Sequence, residues 1–520
     1  MGHNGLPKDP VSYWRTNIDF PKFPSLEEDL DVDVAIVGAG ITGITSAYLL
    51  ANEGLKVALI EADQVLNGTT GHTTAKITAQ HDLIYDELIR NMGRNEARLY
   101  YEANTEAMNF IRKTVHEERI ACELSNQDAY IYATTEEGAK KVQKEFEAYE
   151  KIGIEGELVE KIPFEISIYN ALVMKKQAQF HPTKYLTHLL SLIQEKGGLI
   201  FEHTTAVNIE MGEQAVVLTK EERRITAKHV LFCSHFPFYE GAGLYSTRMH
   251  AQRSYALAVK TRKKFPPGIY ISADEPNRSL RSVADEGREL VLIVGENHKT
   301  GQGIETMKHY EALQFFGESI FTIEEIVHRW SAQDLETLDK LPYIGALTSS
   351  QPNLLIATGF RKWGMSNGTA AALLFRDIVL GKSNKFEALY SPSRFYVQPS
   401  LKNFFMQNAN VVGQLIKGKL DSSNIDPDNL AKGEGAVITL EGHRKGAYRD
   451  EEGELHIVDT TCTHIGCEVT WNDGDCTWDC PCHGSRFSYT GEVIEGPAEK
   501  PLKKYDYKMM ENFTSEESGY

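Results

Sequence analysis

The segment from Asp31 to Glu61 constrains this chain more than any other. Residues 32–37 are an apolar run of β type, and Gly38-Ala39-Gly40-Ile41-Thr42-Gly43 follows directly. Ile41, Ile44, Ala47, Tyr48 and Ala51 then recur at helical spacing, and Gly54 stops the helix. Residues 56–60 form a second apolar strand that ends at Glu61. A G-x-G-x-x-G run alone is weak, but strand, helix, second strand and terminal acid together make a dinucleotide-binding unit. Gly38 allows the tight turn, Gly40 lets backbone amides approach a pyrophosphate, and Gly43 lets the helix pack on the strand. The pyrophosphate then sits at the helix N-terminus, where free N–H groups and the dipole favour an anion. Glu61 can accept from ribose hydroxyls and argues against a 2′-phosphate. The competing reading is an ordinary βαβ unit that uses its glycines only for turns.

One such unit occupies little of the 520 residues. At roughly 150 residues per domain, about three structural units are expected. Residues 1–30 read as an arm over the first domain, and 31–385 as one large α/β region. Amphipathic helices are expected at 83–120 and 136–152, and short β-type runs at 165–330 suggest a second lobe. Residues 386–430 read as a linker with a helix near 402–416, 431–509 as a small all-β module, and 510–520 as a flexible tail. The formal charge of −18, from 55 basic and 73 acidic residues, gives no electrostatic reason to bind nucleic acid or anionic lipid. No apolar run approaches the ~18 residues of a spanning helix, and the N-terminus lacks the features of a signal peptide. No transmembrane segment and a cytoplasmic location are therefore expected.

Of seven cysteines, Cys462, Cys467, Cys476, Cys480 and Cys482 crowd into the last module. A cytoplasmic chain seldom uses such a cluster as a plain disulfide framework, so metal is the better expectation. The cluster has two halves, Cys462-Thr463-His464-Ile465-Gly466-Cys467 and Cys480-Pro481-Cys482-His483-Gly484-Ser485. Each offers a Cys and a His plus one extra Cys. A Rieske [2Fe–2S] centre takes Cys₂ on one iron and His₂ on the other. A zinc Cys₂His₂ site is the rival, but it gives no reason for the extra cysteine pair. An aromatic-ring oxygenase would lack that pair and would need a mononuclear iron domain as well.

Gly68-Thr69-Thr70-Gly71-His72-Thr73-Thr74-Ala75 resembles the second flavin loop of the glycine-oxidase/D-amino-acid-oxidase superfamily. Trp330-Ser331-Ala332-Gln333-Asp334, the run from Asp339 to Gly345, and the run from Leu354 through Gly359 and Phe360 to Gly364 and Gly368 resemble the same superfamily. The resemblance implies FAD and a Rossmann-like, glutathione-reductase-type α/β FAD-binding domain with an interleaved α+β substrate lobe at about 165–330. It places Thr70 and His72 in a cofactor loop. Gly359 and Gly364 fall in a turn whose amides stabilise charge at the flavin pyrimidine edge. In dimethylglycine-dehydrogenase-like relatives a histidine at the place of His72 carries flavin covalently, but here Gly71 replaces their tryptophan. A hydrogen-bonding histidine near the ring is the other reading. The C-terminal halves resemble the Rieske signature of the cytochrome bc complexes. By position, Cys462 and Cys480 would hold one iron, His464 and His483 the other, and Cys467 and Cys482 would form a disulfide. Cys476 has no counterpart, and Gly496-Pro497-Ala498 resembles the loop that covers the cluster. Phe487 stands where high-potential members have a tyrosine, so one hydrogen bond to a ligand thiolate is lost and a lower potential is expected.

The pairing of flavin and cluster implies an oxidoreductase that takes hydride from a small amine or amino acid and passes electrons singly to an external acceptor, a protein or a quinone. The alternative is an electron-transfer module between a carrier protein and a partner redox enzyme. Arg253, Tyr255 and Arg281 lie where relatives place carboxylate clamps, although solvated surface arginines would look the same. Lys362 and Trp363 fall in the flavin-edge turn.

Overall fold

The computed structural model describes residues 5–506 apart from 164, 242, 286, 395–396, 421–424 and 441, with backbone alone at 397–402, 405 and 416–420. The tail expected at 510–520 lies outside these residues.

Strand β1 (Leu30–Val37), helix α1 (Ile41–Asn52) and strand β2 (Val57–Ile60) form the expected βαβ unit. β1 lies inside an eight-stranded sheet, parallel to β2 on one side and to Arg224–Phe232 on the other. Val34, Ala35 and Ile36 are fully buried, as a parallel strand covered on both faces requires. α1 is buried nearly all round and packs against the helices Pro182–Glu195 and Gly364–Val379. A Cβ on Gly368 would lie 2.7 Å from Thr42 Oγ1, so the glycine is what lets helix Gly364–Val379 touch α1.

A nine-stranded sheet builds the second lobe from Lys76–Ile77, from three strands between 125 and 179, and from five between 249 and 337. Here the lobe differs from the 165–330 span expected. Strands Leu199–Phe201, Ala206–Met211, Ala215–Thr219 and Arg224–Phe232 all belong to the first sheet. An apolar run reveals a strand but not the sheet it joins, and Ile225 to Phe232 find their partners along β1.

The C-terminal part is two four-stranded antiparallel sheets between Gly435 and Tyr505. The region expected to be a linker holds a long helix, Val397–Leu420. It docks through both amides and apolar side chains: Asn403 donates to Leu338 O at 2.7 Å, Asn410 accepts from Gln302 at 2.9 Å, and Val411 and Leu415 pack against the apolar cluster around the cysteines. The N-terminal arm closes over the loop 68–75, where Ser12 donates to Gly71 O (2.7 Å) and buried Trp14 to Thr73 O (2.5 Å).

Candidate cofactor sites and the interface between them

Gly38 has φ +105°, and a Cβ there would strike the Cys233 carbonyl at 2.6 Å. A Cβ on Gly43 would lie 1.9 Å from Gly38 O, so α1 can start against this turn only with glycine. Gly40 is the N-cap of α1 and gives no side-chain cap. Thr70 Oγ1, from the second loop, accepts from the Ile41 amide at 3.0 Å. Glu61 accepts from the Ala39 amide at 2.7 Å, and burial pushes its carboxyl pKa up. A glycine turn with no space for side chains, at a helix start without its own cap, fits a dinucleotide pyrophosphate. His72 Nδ1 lies 3.0 Å from Gly68 O, and His72 O accepts from Trp330 Nε1 at 2.9 Å. Burial lowers the pKa of this histidine.

The turn after Gln351–Thr358 meets this loop. Gly359 has φ +77°, and a Cβ there would lie 2.4 Å from Thr337 Cγ2. Arg361 and Lys362 are left-handed, with φ +48° and +69°, a strain that collects at functional sites. Their turn lets the Lys362 amide donate to Asp334 at 3.0 Å. Gly364 then opens Gly364–Val379 without a side-chain cap. Burial lowers the Lys362 pKa.

Two side chains here were not singled out from sequence. His81 stacks on Trp363 at 4.6 Å, with Nδ1 2.6 Å from the Tyr100 hydroxyl and Nε2 2.9 Å from Ser366 Oγ. Burial lowers its pKa to about 3, so the ring is neutral. Lys76 donates to Ser279 Oγ at 2.8 Å, and burial pushes its pKa down to about 7. The only signal in the sequence is a lone lysine directly after the hydroxyl-rich loop.

The three residues expected as carboxylate clamps are otherwise engaged. Arg281 Nη1 donates to the carbonyls of Thr74 and Ala75, both at 2.7 Å, and so holds the loop. Tyr255 is fully buried, its hydroxyl 2.9 Å from His298 Nε2 and its ring stacked on His309. Arg253 is fully buried and pairs with Asp475 of the C-terminal module at 2.6 Å. Asp475 also accepts from Arg486 at 3.2 Å. Burial alone would raise the Asp475 pKa, but Arg253 and Arg486 outweigh it and hold the carboxyl below its ordinary value. Arg253 is thus part of a domain interface, a role invisible without knowing that the two segments meet.

In the C-terminal module, Cys467 and Cys482 are joined as a disulfide with S–S 1.96 Å. Cys462 and Cys480 are free and buried. The Cys480 thiol hydrogen-bonds Cys462, which, with help from the His464 amide, lowers the Cys462 pKa to about 7 while that of Cys480 rises. The rings of His464 and His483 meet edge to face, with centroids 5.0 Å apart. Both Nδ1 atoms are buried with no hydrogen-bond partner. Burial lowers both histidine pKa values, that of His483 to about 4. Two imidazoles with orphaned Nδ1 atoms and two free thiols match in kind the donor set a Rieske cluster needs. Ser485 Oγ interacts with Cys462 and accepts from the Ala498 amide at 3.0 Å, which ties the covering loop to the site. Phe487 is fully buried in the apolar cluster around these cysteines and has no hydroxyl to offer them. Cys476 lies apart from the set, beside Tyr448.

Residues 33–378 match the model of the FAD dependent oxidoreductase family (DAO), and residues 424–506 that of the Rieske [2Fe-2S] domain. The chain belongs to the FAD dependent oxidoreductases and carries a Rieske domain. This oxidoreductase binds FAD and a [2Fe–2S] cluster. It is 52% identical over 497 residues to YhfW of Bacillus subtilis (strain 168), described as a Rieske 2Fe-2S iron–sulfur protein, covering 96% of this chain and 98% of that one. Gamma-glutamylputrescine oxidoreductase of Escherichia coli (strain K12) is 21% identical over 394 residues, 72% of this chain and 90% of the relative. Among solved structures, glycine oxidase from Geobacillus kaustophilus superposes with TM-score 0.60 at 19% identity, over 70% of this oxidoreductase and 99% of that chain. L-proline dehydrogenase from P. horikoshii gives 0.59 at 18%, over 71% and 98%. At such identities the likeness is one of fold. Among the described residues no helix is long and apolar enough to cross a membrane.

Proposed function

We propose that this flavin–Rieske oxidoreductase is a cytoplasmic dehydrogenase of a small amine that carries a carboxylate, with an external protein or quinone as final acceptor. FAD supplies hydride acceptance and the [2Fe–2S] cluster supplies one-electron transfer. By their position, Gly38, Gly40, Gly43, Glu61 and Thr70 would hold the nucleotide, and Gly359 and Gly364 the pyrimidine edge. Cys462, Cys480, His464 and His483 would hold the irons.

The observation that carries the reading is a pair of lysines, Lys76 and Lys362, with no carboxylate within ion-pair distance among the described residues; Asp82, Asp334 and Glu336 act on them only from farther off. Lys76 is buried beside the flavin loop and Lys362 is half-buried in the turn facing it; burial, Arg281 and Lys362 together lower the Lys76 pKa. Neither lysine forms an ion pair among the described residues; Lys76 donates to the Ser279 hydroxyl, and its ammonium lies 5.7 Å from the centre of the Trp363 ring. A buried ammonium without a counter-ion is costly, and a substrate carboxylate would relieve that cost. The neutral His81 ring and Trp363 would wall the same space. The glycine oxidase and L-proline dehydrogenase folds add support, since their names denote enzymes acting on amino acids. His72, tied to its own loop carbonyl, is read as a non-covalent neighbour of the flavin.

The test is anaerobic flavin bleaching with a panel of amines, amino acids and N-methyl amino acids, each paired with its decarboxylated analogue. A carboxylate-bearing amine should bleach the flavin without any protein partner, and its analogue should do so poorly. The Lys76 charge is present at low pH and lost as pH rises through about 7. kcat/KM for that substrate should therefore fall above about 7, because kcat/KM follows groups of the free enzyme. Bleaching only by a reduced carrier protein would overturn the reading in favour of an electron-transfer module.

A further inference from the structure

We infer that Gln333 is a positioning residue for electron transfer, fixing the second cluster loop against the flavin loop. Gln333 is buried in the strand Ile323–Thr337 of the flavin-bearing region. Its Nε2 donates to the carbonyl of Gly484 at 2.9 Å, and Gly484 directly follows His483. Its Oε1 accepts from Thr300 Oγ1 at 2.7 Å, which holds the amide in that orientation. Its own backbone carbonyl accepts from Thr69 Oγ1 at 3.2 Å, inside the loop 68–75. One residue therefore touches both the loop of the candidate cluster ligand His483 and the loop assigned to the flavin.

The surroundings leave that contact little freedom. A Cβ on Gly484 would lie 2.3 Å from the Ala251 Cβ, so the cluster loop is seated directly on the neighbouring strand. His483 is buried on this side, whereas Ile465 beside His464 is exposed. Asp473 accepts from the Thr306 amide at 2.8 Å, and Arg329 donates to Gly474 O at 2.5 Å, which clamps the adjoining turn. Each transfer moves one electron from the reduced flavin to the oxidised cluster. Two transfers return the flavin to its oxidised form with loss of its protons to solvent, and the external acceptor reoxidises the cluster between them. Gln333 takes up neither electron nor proton; it sets how closely the two loops approach.

The inference rests on the reading that flavin electrons leave through the cluster, and its test needs no substrate. In the holoenzyme, a flash of light with 5-deazaflavin reduces the FAD, and cluster reduction is then followed optically. Gln333→Ala should slow that transfer at least about tenfold, since displacing reacting groups by about 1 Å can cost up to about 10²-fold. Gln333→Glu keeps the volume and the Thr300 hydrogen bond but turns a carboxylate on the Gly484 carbonyl, and should slow it as well. Thr300→Val, which removes only the hydroxyl that orients the amide, should act in the same direction. FAD content, both potentials and the electron paramagnetic resonance spectrum of the reduced cluster should stay as in the wild type. Wild-type transfer rates in Gln333→Glu and Thr300→Val would overturn the inference. A wild-type cluster that flash-reduced flavin never reduces would instead overturn the reading beneath it.

Discussion

Gly43→Ala is expected to abolish FAD binding and to leave little folded protein. The added Cβ would sit 1.9 Å from the Gly38 carbonyl oxygen, well inside any real contact distance. The opposing atom is backbone, so no rotamer change relieves the overlap. Either α1 moves off the turn or the turn opens, and both destroy the pyrophosphate cradle. Overpacking of a core side chain typically costs about 1–3 kcal/mol, and a backbone collision in the central sheet should exceed that. Gly40→Ala provides the comparison. Its Cβ would meet Thr70 Oγ1 at 3.0 Å, the far end of a side chain that can shift. The Ile41 amide then loses its cap, worth about 1 kcal/mol, and FAD should bind more weakly to a folded protein. Flavin content after gel filtration and thermal unfolding separate the two. A Gly43→Ala protein with stoichiometric FAD and unchanged melting would mean that the cradle is elsewhere.

Asp475→Ala should release the Rieske module from the flavin-bearing region while leaving both cofactors bound. Among the described residues, the substitution leaves buried Arg253 with Asp479, 3.8 Å away, as its one acidic partner, and with the Ser331 hydroxyl. It also removes one of three acidic partners of Arg486. Removing one partner of a buried ion pair typically costs about 3–5 kcal/mol, because the remaining charge is left unpaired in a poor solvent. The loss falls on the interface, so unfolding should split into two transitions. Limited proteolysis should free a fragment containing residues 424–506, the extent of the Rieske match. Asp475→Asn, which can keep the Ser331 hydrogen bond, should give part of the effect. Wild-type protease resistance in Asp475→Ala would show that the network does not hold the domains together.

What could be read from sequence is what depends on neighbours in sequence. The βαβ unit was legible because the turn, the helix start and the terminal acid all lie between Gly38 and Glu61. The cluster was legible for the same reason: one Cys-x-His run and one Cys-x-x-His run carry the candidate ligands, and the disulfide joins cysteines only 15 residues apart. Helix 136–152 is the span Glu136–Ile152, where charged and apolar residues alternate with clear helical period. What stayed hidden depends on partners far along the chain. Arg253 and Asp475 are 222 residues apart, and no pattern near either predicts the pair. Arg281 looked like a ligand clamp because an arginine donating to backbone carbonyls leaves no mark in sequence. The strands from 199 to 232 were assigned to the wrong lobe because apolar strands look alike whichever sheet they complete. In the sequence Gln333 stands out only as part of the run from Trp330 to Asp334, since a buried amide is chemically silent until both its partners are known.

On the ligand set proposed above, one chain holds an FAD and a histidine-ligated [2Fe–2S] cluster in distinct sites. Cofactor analysis of the wild type beside His483→Cys tests it most directly. The wild type should carry about one FAD, two irons and two acid-labile sulfides per chain, with the resonance spectrum of a Rieske centre on reduction. His483→Cys should keep its FAD and lose that spectrum, because the two cofactors draw on separate residues. Zinc without acid-labile sulfide in the wild type, or loss of FAD together with the cluster in the variant, would contradict the account.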